Sequence, residues 1–184
     1  LNNIWCAYFF EDMKTGGRES LLEKSRNFLE VFTILACGFM LLAPEVYHVY
    51  APKEFWVATM VIPLFTAAYY VNFLCTFPVN FEYYHKKPKA VAVITVSSSL
   101  MNLVLNFVFI KTIGMAGAAV ATLASHGLQL VLHHVYSRRL GDYPFPVKLW
   151  GGYALGFCAV LAVVLLLPAA WFIRWPLGAV LGIF

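Results

Sequence analysis

Charge is what this sequence has least of: Asp, Glu, Lys and Arg make up 12% of its 184 residues, whereas 61% are hydrophobic and the mean hydropathy is +0.75. A soluble domain carries roughly 45–50% apolar and about 25% charged residues, so an ordinary soluble enzyme is excluded. A disordered chain is excluded too, because such chains fail to fold for want of apolar residues. The four cysteines, Cys6, Cys37, Cys75 and Cys158, fall in separate apolar stretches with no CxxC spacing. They suit small core side chains better than a zinc site or a disulfide framework. No GxSxG, HExxH, GxxxxGKS/T or paired-carboxylate arrangement occurs, so the expectation is a protein without catalytic residues, metal or cofactor. The net charge of +4 offers no reason to expect a nucleic-acid partner.

What the sequence has in abundance is long apolar runs, which places it in a bilayer with membrane lipids as its solvent. A hydrocarbon core needs about 20 apolar helical residues, and runs divided by charged punctuation predict an all-α polytopic transmembrane helix bundle. The expected organisation is the tail of a preceding transmembrane helix over residues 1–10, a polar linker over 11–27 with eight charges, and a transmembrane lobe over 28–184. Spans are expected near 28–49, 55–84, 90–110, 116–136 and 147–172, with a shortened last one at 175–184. The second, with Pro63 and Pro78 inside it, should be tilted, kinked or partly unwound. Leu1 in place of Met, and a hydrophobic run that stops at Phe184, suggest a fragment of a longer protein.

Alternate loops differ in basic residues. Lys14, Arg18, Lys24, Arg26, Lys86, Lys87, Lys89, Arg138, Arg139 and Lys148 fall on one side, and Lys53, Lys111 and Arg174 on the other. The ten-residue set marks the cytoplasm by the positive-inside rule.

Polar residues within spans are few enough to weigh singly. Asn102 and Asn106 lie four apart and share one helix face, as do Gly117, Ala121 and Ser125 after a tight turn at Gly114. Small-xxx-small faces let helices approach closely, and Asn side chains bond across helices in lipid, so these six residues are read as helix-packing positions. Asn72, in the middle of the proline-bearing span, either locks helices together or lines a wet cavity. Asn80 and Glu82 are nearer the cytoplasmic end, where Glu82 either snorkels beside Lys86 or acts as a gate or proton-coupling carboxylate. His126 lies deep in its span and is a pathway candidate, and the pair His133 and His134 is read as interfacial. Glu30 is read as suiting the N-terminus of the first full span.

An ordered set of segments carries a resemblance. Leu42-Ala-Pro-Glu-Val-Tyr, Ala51-Pro-Lys-Glu-Phe-Trp-Val-Ala, Tyr83-Tyr-His-Lys-Lys-Pro-Lys, Asn102 to Asn106 and Gly114-Met-Ala-Gly-Ala-Ala-Val-Ala-Thr follow one another. Together they resemble the carboxy-terminal half of bacterial polysaccharide repeat-unit flippases, in the multidrug/oligosaccharidyl-lipid/polysaccharide exporter superfamily. The resemblance implies one lobe of a two-lobed exporter in the bacterial cytoplasmic membrane. Its cargo would be an undecaprenyl-pyrophosphate-linked oligosaccharide, with an amino-terminal lobe and the polysaccharide polymerase machinery as partners. The cations that such carriers place in the cavity have no counterpart at mid-depth here. A multidrug or lipid II exporter of the same superfamily is an alternative, as are a membrane acyl- or glycosyltransferase using His126 or His133 and a structural membrane subunit.

Overall fold

A computed structural model of the chain describes residues 2–166, which are helical throughout apart from short turns and one loop. In chain order the α-helices are α1 (Asn2–Thr15), α2 (Arg18–Tyr50), α3 (Ile62–Leu74), α4 (Thr76–Tyr84), α5 (Pro88–Ile113), α6 (Met115–Arg139) and α7 (Val147–Leu166), with a 3-10 helix at Lys53–Val61 between α2 and α3. Five segments among the described residues are long and apolar enough to cross a bilayer: α2, the run Lys53–Tyr84, α5, α6 and α7. The protein is therefore a multi-pass membrane helix bundle.

The segment expected to be a linker is mostly helical. The chain turns at Gly16, whose φ of +73° suits glycine, and α2 begins at Arg18 rather than near residue 28. The early charges serve as the hairpin's polar end, where Lys24 Nζ sits 2.9 Å from both Asp12 oxygens. Glu30 is corrected by the same shift: it is exposed in the interior of α2, twelve residues past the start, where the helix-terminus argument does not apply.

The long second span is broken, as its prolines require. It opens as a 3-10 helix, continues as α3 with Pro63 in its first turn, and breaks again at Cys75 before α4. Pro78 has no N–H to give to the carbonyl of Leu74, so the α-helical ladder fails one turn before it. The chain closes the gap with a shorter bond, Cys75 N to Asn72 O at 3.1 Å. Of the expected fifth span the structure describes Val147–Leu166; residues 167–172 and the span expected at 175–184 lie outside the described residues.

An aromatic core ties α1, α2, the broken span and α7 together. Phe77 of α4 is fully buried, with Trp5 at 5.4 Å, Phe145 at 5.2 Å and Trp150 at 6.0 Å between ring centroids. Tyr70 of α3 stacks on Phe157 of α7 at 4.1 Å, and its hydroxyl is 2.8 Å from Thr33 Oγ1 of α2. The hairpin of α5 and α6 stands at one edge. Its turn is Gly114, with φ +63°, and Gly117 lies so close to α5 that a Cβ there would strike the Phe109 carbonyl. Beyond this contact α5 buries only Val91 and Ser98, leaving Val93, Leu100, Leu103, Val104 and Phe107 exposed, a surface that suits lipid.

Candidate functional site

Two polar groups of side chains sit along α6. The first joins α6 to α4. Glu82 and His133 are both fully buried, and His133 Nδ1 lies 3.0 Å from Glu82 Oε1 and 3.1 Å from Oε2. Ser137, one turn further along α6, places its Oγ 3.1 Å from Glu82 Oε1 and 3.2 Å from the Pro78 carbonyl. A carboxylate and a bare imidazole nitrogen are both acceptors, so a proton must lie between Glu82 and Nδ1. At least one of the two is thus a buried, proton-bearing group in a segment with little water, where an unpaired charge is expensive.

This geometry corrects two expectations. Glu82 does not reach out toward Lys86, which is exposed; it turns into the bundle. His133, whatever its depth, is not open to interfacial water: it is fully buried against Glu82 of α4. His134, beside it, is half-buried, with its ring centroid 5.4 Å from that of Tyr143 and 5.2 Å from that of Trp150.

Several buried polar atoms of the pair and of the elements near it have no partner among the described residues: His133 Nε2, Asn80 Nδ2 on the α4 side, the Tyr143 hydroxyl, both His134 nitrogens and the Trp150 Nε1. Asn80 does use its oxygen, which accepts from Cys6 Sγ at 3.6 Å. Tyr143 comes from the loop before α7, and burial, with the Glu82 charge adding to it, raises its phenol well above the ordinary value. It stays protonated and can act only as a neutral hydrogen-bonding group.

The second group lies at mid-depth between α5 and α6. Ser98, Ser99, Asn102, Thr122, Ser125, His126 and Gln129 line a cavity of about 150 Å³. His126 Nδ1 is 3.4 Å from Gln129 Oε1, and its ring is 6.2 Å from that of Tyr69 of α3. Ser98 is buried with its Oγ unpartnered among the described residues. Asn102 and Asn106 bond each other along α5 at 2.9 Å, rather than reaching across to another helix. Gly117, Ala121 and Ser125 are all buried, and Ser125 Oγ returns to the Ala121 carbonyl at 2.7 Å.

Asn72 stands apart from both groups. It is exposed on α3, and its side chain has no hydrogen bond among the described residues; its carbonyl closes the break at Cys75. Of the cysteines, Cys37 and Cys75 are buried as small core residues are, Cys6 is half-buried, and Cys158 is exposed on α7.

The spacing of His126, Gln129, His133 and Ser137 along α6, three or four residues per step, is the signal that could have revealed the pair, since it puts all four on one helix face. What it could not reveal was the partner, because Glu82 is 51 residues away in sequence. No group of three or more His, Cys, Asp or Glu able to hold a metal occurs among the described residues. No family model, curated protein or solved structure matches the chain.

Proposed function

We propose that this chain forms a lobe of an exporter that carries undecaprenyl-pyrophosphate-linked oligosaccharide repeat units across the bacterial cytoplasmic membrane. The observation that carries the reading is the broken second span. A carrier that opens alternately to two sides needs a helix that can bend at a fixed point, and discontinuous spans with irregular backbone are where membrane carriers place their sites. Here the break falls at Cys75, between exposed Asn72 and buried Glu82. The ordered segments that resemble polysaccharide flippases supply the cargo class. Carriage of this kind involves no covalent chemistry, so the chain acts as a transporter and not as an enzyme, with the lipid-linked cargo and a facing lobe as its partners.

On this reading Asn72 faces the transport path. With the four native cysteines replaced, Asn72→Cys should react with a small polar thiol reagent. In a strain whose surface polysaccharide depends on this protein, Asn72→Leu should lower repeat-unit export at unchanged protein level. An inert Asn72→Cys together with a Leu variant that unfolds would make Asn72 a helix-locking amide and place the path elsewhere. Orientation has its own check: positions 87 and 139 should resist an impermeant reagent in intact cells, and strong labelling of either from outside would reverse the topology.

A further inference from the structure

The state of the Glu82–His133 pair is unsettled by its own surroundings. Take the carboxylate as ionised and His133 as neutral. Nδ1 then donates to Glu82, and Nε2 is a buried acceptor that meets no donor among the described residues. Add a proton, and Nε2 becomes a buried donor that meets no acceptor there. Neither form is fully satisfied in this conformation, and an unmet buried polar group is costly. A rearrangement that brings Nε2 a partner of either kind therefore selects one protonation state over the other.

The pair is also placed where such a rearrangement would act. Glu82 rides on α4, beyond the break at Cys75, whereas His133 belongs to the unbroken α6. Bending at Cys75 would move the carboxylate relative to the imidazole. One turn from His133 on the same face is Gln129, which contacts His126, and both line the mid-depth polar cavity with Ser98 and Asn102. Polar side chains thus share one face of α6 from the middle of the span to the buried pair, and a change of rotamer at Gln129 is what would close the gap to His133 Nε2.

Few other groups face the pair. The break contributes Cys75 and the loop before α7 contributes Tyr143, both within electrostatic reach of Glu82. Asn80 links to Cys6 of α1. Tyr69 is the group that α3 brings to His126, and His85, just past the end of α4, turns to the Phe81 carbonyl. Packed against both α4 and α6, α5 buries only Val91 and Ser98, and its two charges, Lys89 and Lys111, are exposed at its ends. Arg138 is exposed at the end of α6, and among the described residues no Lys or Arg lies within ion-pair distance of Glu82.

We propose that Glu82 and His133 form the proton-binding site that couples this carrier to a proton gradient, with His133 Nε2 as the atom that takes up the proton and Gln129 and His126 as its route from mid-membrane. The proposal rests on the exporter reading for its purpose but not for its chemistry. In the loading step a proton from hydronium in the aqueous phase joins the Nε2 lone pair, leaving water, while the Nδ1–H bond stays intact and hydrogen-bonded to the Glu82 carboxylate. The pair goes from a charge of −1 to 0, no bond between heavy atoms changes, and nothing is oxidised or reduced. Release is the reverse.

The test begins with the wild-type protein, ¹⁵N-labelled at histidine, in phosphatidylethanolamine and phosphatidylglycerol liposomes. Solid-state NMR would follow the ring nitrogens between about pH 8 and pH 5, the range in which imidazole charge changes. One Nε2 signal, absent from His133→Gln, should convert to the protonated form, and Glu82→Gln should weaken that proton binding about tenfold, one pH unit in its midpoint. In cells, Glu82→Gln should abolish the dependence of repeat-unit export on the proton gradient at unchanged protein level, whereas Cys158→Ser, at an exposed position on α7, should retain it. A His133 signal that does not change over the range would overturn the proposal without any variant, and so would a Glu82→Gln protein whose midpoint and gradient dependence match the wild type. Titration at His133 in a protein on which no repeat-unit export depends would leave the proton site standing and remove the flippase reading. Export that depends on the protein while His133 stays unprotonated would do the opposite.

Discussion

Toward its C-terminal end α6 buries His133 and Ser137 against Glu82 of α4, whereas at its middle it leaves His126 and Gln129 half-buried beside Asn102 of α5. Both regions are polar and both lie within a membrane span, yet they are built differently. At the α4 contact the aromatic core has closed around the charges: Phe81 and Phe77 are fully buried and Phe145 nearly so. At the α5 contact the helices meet through small residues near Gly117, and the polar groups between them border an open cavity. Burial decides which polar group can lock a structure or store a charge, and which merely wets a surface.

The largest expected effect tests the dry side of that contrast. Removing one member of a buried pair leaves the other uncompensated, so Glu82→Ala or His133→Ala should destabilise the protein by about 3–5 kcal/mol. Thermal unfolding in detergent would show it as a large drop in Tm. A loss no greater than that of Asn102→Ala would erase the distinction between the two regions. Next comes the α5–α6 contact. Gly117→Ala forces a methyl into the Phe109 carbonyl and Ala121→Leu fills a fully buried position, so each should cost about 1–3 kcal/mol in the same assay. A silent Gly117→Ala would mean that α5 yields freely and that the hairpin is looser than its geometry.

Smaller effects sharpen the comparison. Asn106→Ala breaks a single bond on a half-exposed face and should cost about 0.5–1.5 kcal/mol. The smallest effect is confined to alkaline solution. Because burial raises the Tyr143 phenol, the folded protein keeps a proton that the unfolded chain gives up near pH 10. Stability from this group is intact below about pH 10 and falls as pH rises toward the folded value. Unfolding followed at about pH 9 and pH 11 should show a shallower alkaline loss in Tyr143→Phe than in the wild type, and an identical loss would mean that the hydroxyl reaches water.

Much of the fold was legible in the sequence for a simple reason. In a bilayer every backbone polar group must be satisfied within its own segment, so long apolar runs become helices and charges mark their ends. The runs that become α5 and α6 were placed to within a few residues, and Pro63 with Pro78 announced a broken span because a missing N–H is a local fact. The start of α2 was misread because eight charges over residues 11–27 look like a linker, although charged residues are good helix formers and the turn itself needs only Gly16 and Gly17.

Composition, span number and the position of the kink thus follow from the sequence by itself, since each depends on residues near one another along the chain. Glu82, Asn80 and His126 could be singled out there as polar residues in apolar runs, and Asn72 likewise. Only the tertiary structure decided that Glu82 meets His133, that Asn102 turns to Asn106 instead of to another helix, and that Asn72 stays exposed. The reason is physical: a buried charge takes whatever partner the packing of distant helices brings within about 3 Å, and the aromatic rings that set that packing come from α1, α2, α4, α7 and the loop before it, far apart in the chain.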